Sequence, residues 1–243
     1  MSPARPRRSL LYMPASNSRA IDKARTLACD VVILDLEDAV APDAKSEARE
    51  TALAALVQGG FGSREVVVRI NGLDTPWGRD DLTAVAQACP EAVLVPKISS
   101  PADLKAYATA LAPATKLWAM VETCQVVMTL DAIAGSGAPL QVLVVGSNDL
   151  AKEMRCRPGI ERTPLLAALS HTVMAARAHG LGVVDGVFND ISDLEGLERQ
   201  CLQGLDFGFD GKTLIHPGQI EAANRIFAPE PTEVDCSQDC GRL

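Results

Sequence analysis

Two carboxylates close two apolar runs in the middle of the chain, Leu-Trp-Ala-Met-Val-Glu122 and Gln-Val-Leu-Val-Val-Gly-Ser-Asn-Asp149. If both runs are neighbouring strands of one parallel sheet, Glu122 and Asp149 reach the same end of it. They would then offer two hard oxygen ligands to a divalent ion and leave its other positions to water and substrate. The same acids could instead cap the helices that follow, where the positive end of the helix dipole favours them. Spacing alone leaves both readings open.

Other apolar runs end in the same way. Val31 to Leu36 leads into Asp35-Leu-Glu37-Asp38, Val66 to Ile70 into Arg69-Ile-Asn71-Gly72, and Ala92 to Pro96 into Lys97, while the last run carries Asp210-Gly-Lys212 and then His216-Pro217. Gathered at one rim, these charges would be costly unless they pair or bind something.

The elements that would place them alternate along the chain. Strand-like runs at Ser9 to Met13, Val31 to Leu36, Val66 to Ile70, Ala92 to Pro96, Leu117 to Val121, Val142 to Gly146, Gly182 to Val187 and Phe207 to Leu214 are separated by segments of helical periodicity. Eight βα units predict a (β/α)8 TIM barrel, whose active site lies at the C-terminal ends of the strands. The first run continues into Met-Pro-Ala-Ser-Asn17 and not into a glycine-rich phosphate loop, which argues against a dinucleotide-binding sheet. One barrel is expected over residues 1–228, with an irregular tail over 229–243.

The 243 residues are 47% hydrophobic and 22% charged, enough apolar material for a core. A net charge of -8 argues against nucleic acid or an anionic membrane as partner. No apolar run approaches the ~20 residues of a membrane span, and none near the start resembles a signal peptide, so a cytoplasmic location is expected. Seven scattered cysteines without zinc-type pairing are read as reduced thiols, and Cys124 as a neighbour of the site with no local histidine to activate it. His171 and His179 share one helical segment, and His216 with Pro217 reads as a turn device, so none of the three is assigned to catalysis.

The ordered phrases Arg8-Ser-Leu-Leu-Tyr-Met-Pro-Ala-Ser-Asn17, Leu34-Asp-Leu-Glu-Asp-Ala-Val40 with Lys45 and Ala48-Arg49, Val68-Arg-Ile-Asn71, Val95-Pro-Lys97, Val121-Glu-Thr123, Gly146-Ser-Asn-Asp-Leu150 and Phe209-Asp-Gly-Lys-Thr-Leu-Ile-His-Pro217 resemble the HpcH/HpaI aldolase and citrate lyase beta-subunit family, in its citrate lyase beta-like branch. The resemblance covers about residues 8 to 228. It implies a Mg2+-dependent lyase that cleaves or forms a carbon to carbon bond in a hydroxyacyl-CoA of the citryl-, malyl- or citramalyl-CoA type, with Mn2+ able to substitute.

By that resemblance the metal ligands fall on Glu122 and Asp149, and the arginine for the carbonyl and enolate oxygens on Arg69. The acidic pair Glu37 and Asp38 would steady Arg69 and metal-bound water. Arg19 and Lys23 on the first helix would contact CoA phosphates, if they are not simply solvated. A homotrimer acting on a CoA ester and a 2-oxo acid is expected, without nucleic acid or membrane. The family's C-terminal lid is expected to be missing after residue 228, which leaves the general acid/base open. A hydroxyacyl-CoA thioesterase built on the same site is the alternative, as is a poorly active subunit working with a carrier protein or a complex. An aldolase on free oxo acids fits less well, since it would need an early histidine base.

Overall fold

The computed structural model describes residues 5–229. Eight parallel strands, β1 (Ser9–Pro14), β2 (Val31–Asp35), β3 (Glu65–Arg69), β4 (Ala92–Val95), β5 (Lys116–Val121), β6 (Leu140–Val145), β7 (Gly182–Asp185) and β8 (Gly211–Leu214), pair in chain order into a closed barrel. The seam between β1 and β8 is sealed in register, with Ser9 opposite Lys212 and Leu10 opposite Thr213. The helices are α1 (Ser18–Ala24), α2 (Lys45–Gln58), α3 (Gly78–Ala88), α4 (Pro101–Ala110), α5 (Cys124–Met128), α6 (Leu130–Ala134), α7 (Ser147–Glu153), α8 (Leu166–Ala178), α9 (Leu194–Phe207) and α10 (Ile220–Ile226). The expected TIM barrel is the fold observed.

Period-two alternation along each strand splits the apolar residues into two cores. Leu10, Ile33, Val67, Leu94, Trp118 and Val142 fill the barrel interior. Leu11, Val32, Val68, Val93, Ala119 and Leu143 face the helices instead. Apart from β8, where Lys212 and Thr213 take these places, both faces of the strands are largely apolar, which is why they read as continuous hydrophobic runs.

Three local differences from the expected elements have physical causes. The segment of helical periodicity between β5 and β6 is two short helices that meet at Thr129, whose hydroxyl donates back to Gln125 O at 2.9 Å. Gly146 is followed at once by α7, so Asp149 stands in the first turn of a helix and not at a strand end. The last strand begins at Gly211 and not at Phe207, because α9 runs on to Phe207 and stops at Gly208, whose φ of 91° suits a residue without a β-carbon.

The tail expected from residue 229 lies, apart from Pro229, outside the described residues, as do Cys236 and Cys240. The five described cysteines are free thiols. Among the described residues no helix is long and apolar enough to cross a membrane.

Candidate active site

Arg69, the last residue of β3, points into the barrel mouth inside a cage of acids. Asp35, at the end of β2, grips it twice: Nε donates to Oδ1 at 2.7 Å and Nη2 to Oδ2 at 2.6 Å. Nη1 lies 2.9 Å from Glu37 Oε2 and 3.4 Å from Asp38 Oδ2, and the guanidinium stacks on the Tyr12 ring, 4.6 Å from its centre. Burial alone would lower the pKa of Arg69, but Tyr12, Asp35 and Glu37 outweigh it and hold the value raised. The cation is therefore permanent. Glu37 is shifted up, first by burial, in spite of Arg69 beside it.

The loop that carries Glu37 and Asp38 is held from behind. Lys45 Nζ donates to Leu36 O (2.8 Å), Glu37 O (2.7 Å) and Asn71 Oδ1 (2.8 Å), while Asn71 Nδ2 donates to Asp81 Oδ2 at 2.6 Å and Arg49 Nε to Asp81 Oδ1 at 2.7 Å. Lys45, Arg49 and Asn71 thus hold the loop and leave the mouth to other residues.

Across the mouth, Glu122 follows β5 and is 2% exposed. Its Oε1 accepts the backbone amide of Lys97 at 2.7 Å. Burial, followed by the charge of Glu37, pushes its pKa up to about 7. It fits because the residue after the next strand is Gly146: a β-carbon there would lie 2.5 Å from Glu122 Cβ and 2.8 Å from Oε2. Asp149 faces the same space from α7, and its buried Oδ2 accepts no hydrogen bond. The nearest cation is Lys97 Nζ, 3.4 Å from Asp149 Oδ2 and 3.6 Å from Glu37 Oε1.

Of these groups, Tyr12, Asp35, Asp38, Arg69, Glu122 and Asp149 line one cavity of about 250 Å³. Among the described residues no group of three or more His, Cys, Asp or Glu side chains is placed to hold an ion unaided. A hard divalent cation that keeps several waters and takes one or two carboxylates needs no third protein ligand. The Asp149 oxygen that accepts no hydrogen bond and has only Lys97 near it, the buried Glu122 and the all-oxygen donor set fit magnesium.

The structure thus brings Arg69, Glu37, Asp38, Glu122 and Asp149 together. It leaves Arg19 and Lys23 on the exposed side of α1, outside the cavity lining. Sequence reasoning missed Asp35 as the grip on Arg69, Lys97 as a cation between Glu37 and Asp149, and Tyr12. Each stood in a quoted phrase, but only strand phase shows that Asp35 and Tyr12 face inward. It also missed the buried group in which Asp185 Oδ1 meets Arg162 Nη1 at 2.6 Å and Oδ2 meets Lys212 Nζ at 2.7 Å, on the helix side of the barrel. His216 is the turn device expected, its Nδ1 accepting from Gly218 N.

The profile of the HpcH/HpaI aldolase/citrate lyase family matches residues 8–217. A (3S)-malyl-CoA thioesterase of Cereibacter sphaeroides (strain KD131 / KCTC 12085) is 51% identical over 96% of this chain and 81% of its own length. An L-malyl-CoA/beta-methylmalyl-CoA lyase of the same strain is 36% identical, again over 96% of this chain and 82% of its own length. The citrate lyase beta subunit of M. tuberculosis, solved with oxaloacetate and magnesium, superposes with a TM-score of 0.82 at 31% identity, covering 92% of this chain and 98% of that one. The expected carbon to carbon lyase reaction is corrected by these matches: near-full-length identity is far higher to the thioesterase than to the lyase. The two reactions ask the same residues to hold a hydroxy acid and polarise a thioester, so the motifs alone could not separate them.

Proposed function

The chain belongs to the HpcH/HpaI aldolase/citrate lyase family, and within it we propose a thioesterase that hydrolyses a hydroxyacyl-CoA of the malyl-CoA kind. The 51% identity to a (3S)-malyl-CoA thioesterase carries this reading. The cavity supports it, since Arg69 and the pair Glu122 and Asp149 open into one space from opposite sides of the mouth.

Magnesium, held by Glu122 and Asp149, would supply Lewis-acid charge to the hydroxy-acid end of the substrate. The chain's own groups then divide the work. Arg69, immobilised by Asp35 and Glu37, presents fixed positive charge to the thioester carbonyl, where negative charge gathers as water adds. Asp38 lines the cavity, is 62% exposed and is held only loosely by Arg69, so its carboxylate is free to take a proton from the attacking water. Lys97, between Glu37 and Asp149, offsets the repulsion of these two acids.

The test is product analysis. Purified protein with (3S)-malyl-CoA and Mg2+ should release free CoA thiol and malate in equal amounts. Acetyl-CoA with glyoxylate, or no turnover, would overturn the reading.

A further inference from the structure

Tyr12 lies in the barrel interior on β1, lines the cavity and is 9% exposed. Its hydroxyl has one partner, the thioether sulfur of Met120 at 3.6 Å, a weak acceptor. A buried hydroxyl with so poor a partner calls for an explanation. Packing does not supply one: a phenyl ring would fill the same space and stack equally on Arg69, which sits 4.6 Å above the ring. The hydroxyl is therefore an extra donor facing the cavity. Burial raises the pKa of the phenol, so it remains protonated at neutral pH.

Its place in the barrel says what it can meet. Glu122 and Asp149 approach from β5 and α7 and Arg69 from β3 across the mouth, while the Tyr12 ring starts on β1, stacks on Arg69 and carries its hydroxyl across to Met120 of β5, between the two sides. A hydroxyacyl thioester held at its hydroxy-acid end by the carboxylates and directed toward Arg69 passes the Tyr12 hydroxyl between them.

We propose that Tyr12 is a catalytic residue whose hydroxyl leaves Met120 and donates a hydrogen bond to the thioester carbonyl oxygen, sharing with Arg69 the charge that develops there. In the reaction, water oxygen bonds to the carbonyl carbon and the carbon to sulfur bond breaks. CoA leaves as the thiolate and takes up the proton given by water, so the products are the free acid and CoA thiol. Tyr12 keeps its proton throughout.

The inference rests on the thioesterase reading, and the test separates the two. Tyr12→Phe keeps the ring and removes only the hydroxyl. With (3S)-malyl-CoA the variant should lose roughly 100-fold in kcat, the effect of one oxyanion donor, with KM and melting temperature nearly unchanged. A kcat within twofold of wild type overturns the proposal, whereas an inactive wild type overturns the thioesterase reading.

A second readout needs no turnover. The chain has two tyrosines, Tyr12 and Tyr107, so protein labelled with carbon-13 at the tyrosine ζ position gives two resonances, assigned by the variant. The malyl-CoA analogue with CH2 in place of sulfur keeps the carbonyl and cannot be hydrolysed. Its saturating addition should shift the Tyr12 resonance. An unmoved resonance in the bound protein overturns the contact.

Discussion

Asp35 and Arg69 face each other at the mouth of the barrel as a closed fork, two parallel hydrogen bonds of 2.7 and 2.6 Å between the last residues of adjacent strands. The pair fixes the guanidinium plane before any substrate arrives.

Arg69→Lys should lose 100-fold or more in kcat, about 3 kcal/mol of transition-state stabilisation, because an ammonium cannot grip both oxygens of Asp35 and still present a second donor to the cavity. Melting temperature should change far less than turnover. Wild-type rates in the variant would remove Arg69 from the chemistry.

Glu122 makes the metal-free protein sensitive to pH. Its folded pKa of about 7 lies above the ordinary 4.5, so folding favours the protonated acid. That stability is complete below pH 4.5 and disappears as pH rises through 7, a loss on the order of 3 kcal/mol. In chelator, the melting temperature should fall between pH 5 and pH 8, and Glu122→Gln should flatten the slope. Added Mg2+ should restore stability at pH 8, where the ion takes the place of the proton. A metal-free protein equally stable at both pH values would contradict the burial of this charge.

Gly146→Ala probes the same carboxylate through its neighbour. A methyl group 2.5 Å from Glu122 Cβ must push the acid aside. Calorimetry should show Mg2+ binding weakened by about 10- to 100-fold, the range seen when a metal ligand loses its support. Unchanged affinity would mean that Glu122 is not a ligand.

Asp185 is the single anion between Arg162 and Lys212, and all three are buried. Asp185→Asn should cost about 3 to 5 kcal/mol, or roughly 10 °C in melting temperature, by stranding two cations. Lys212→Met should cost less, because Asp185 would still hold Arg162. The reverse order, measured by thermal melts, would show that the network is not organised around the acid.

Much of this was legible in the chain. Alternating βα patterning was enough for a barrel, and the polar residues at the ends of the runs marked its mouth. What stayed hidden depends on strand phase. A strand buried on both faces shows no hydrophobic alternation, so nothing in Val-Val-Ile-Leu-Asp35 says that Asp35 points inward with Val31 and Ile33. The same blindness covers Asp185 and Lys212, which point outward at the helices. Asp149 was misplaced for another reason: α7 follows β6 after a single glycine, and so short a helix leaves too little periodicity to register.

Trp118 gives the cavity a direction. Fully buried in the barrel interior, it is held by Gln141 at the indole nitrogen and covered by the Arg7 guanidinium 5.0 Å from its ring. It plugs the lower end, so the reaction space is a well with one opening. On the thioesterase reading, both products would leave by the opening through which the ester enters. Turnover on an ester with a large thiol should therefore be slowed by the accumulating thiol itself, as a competitor for entry.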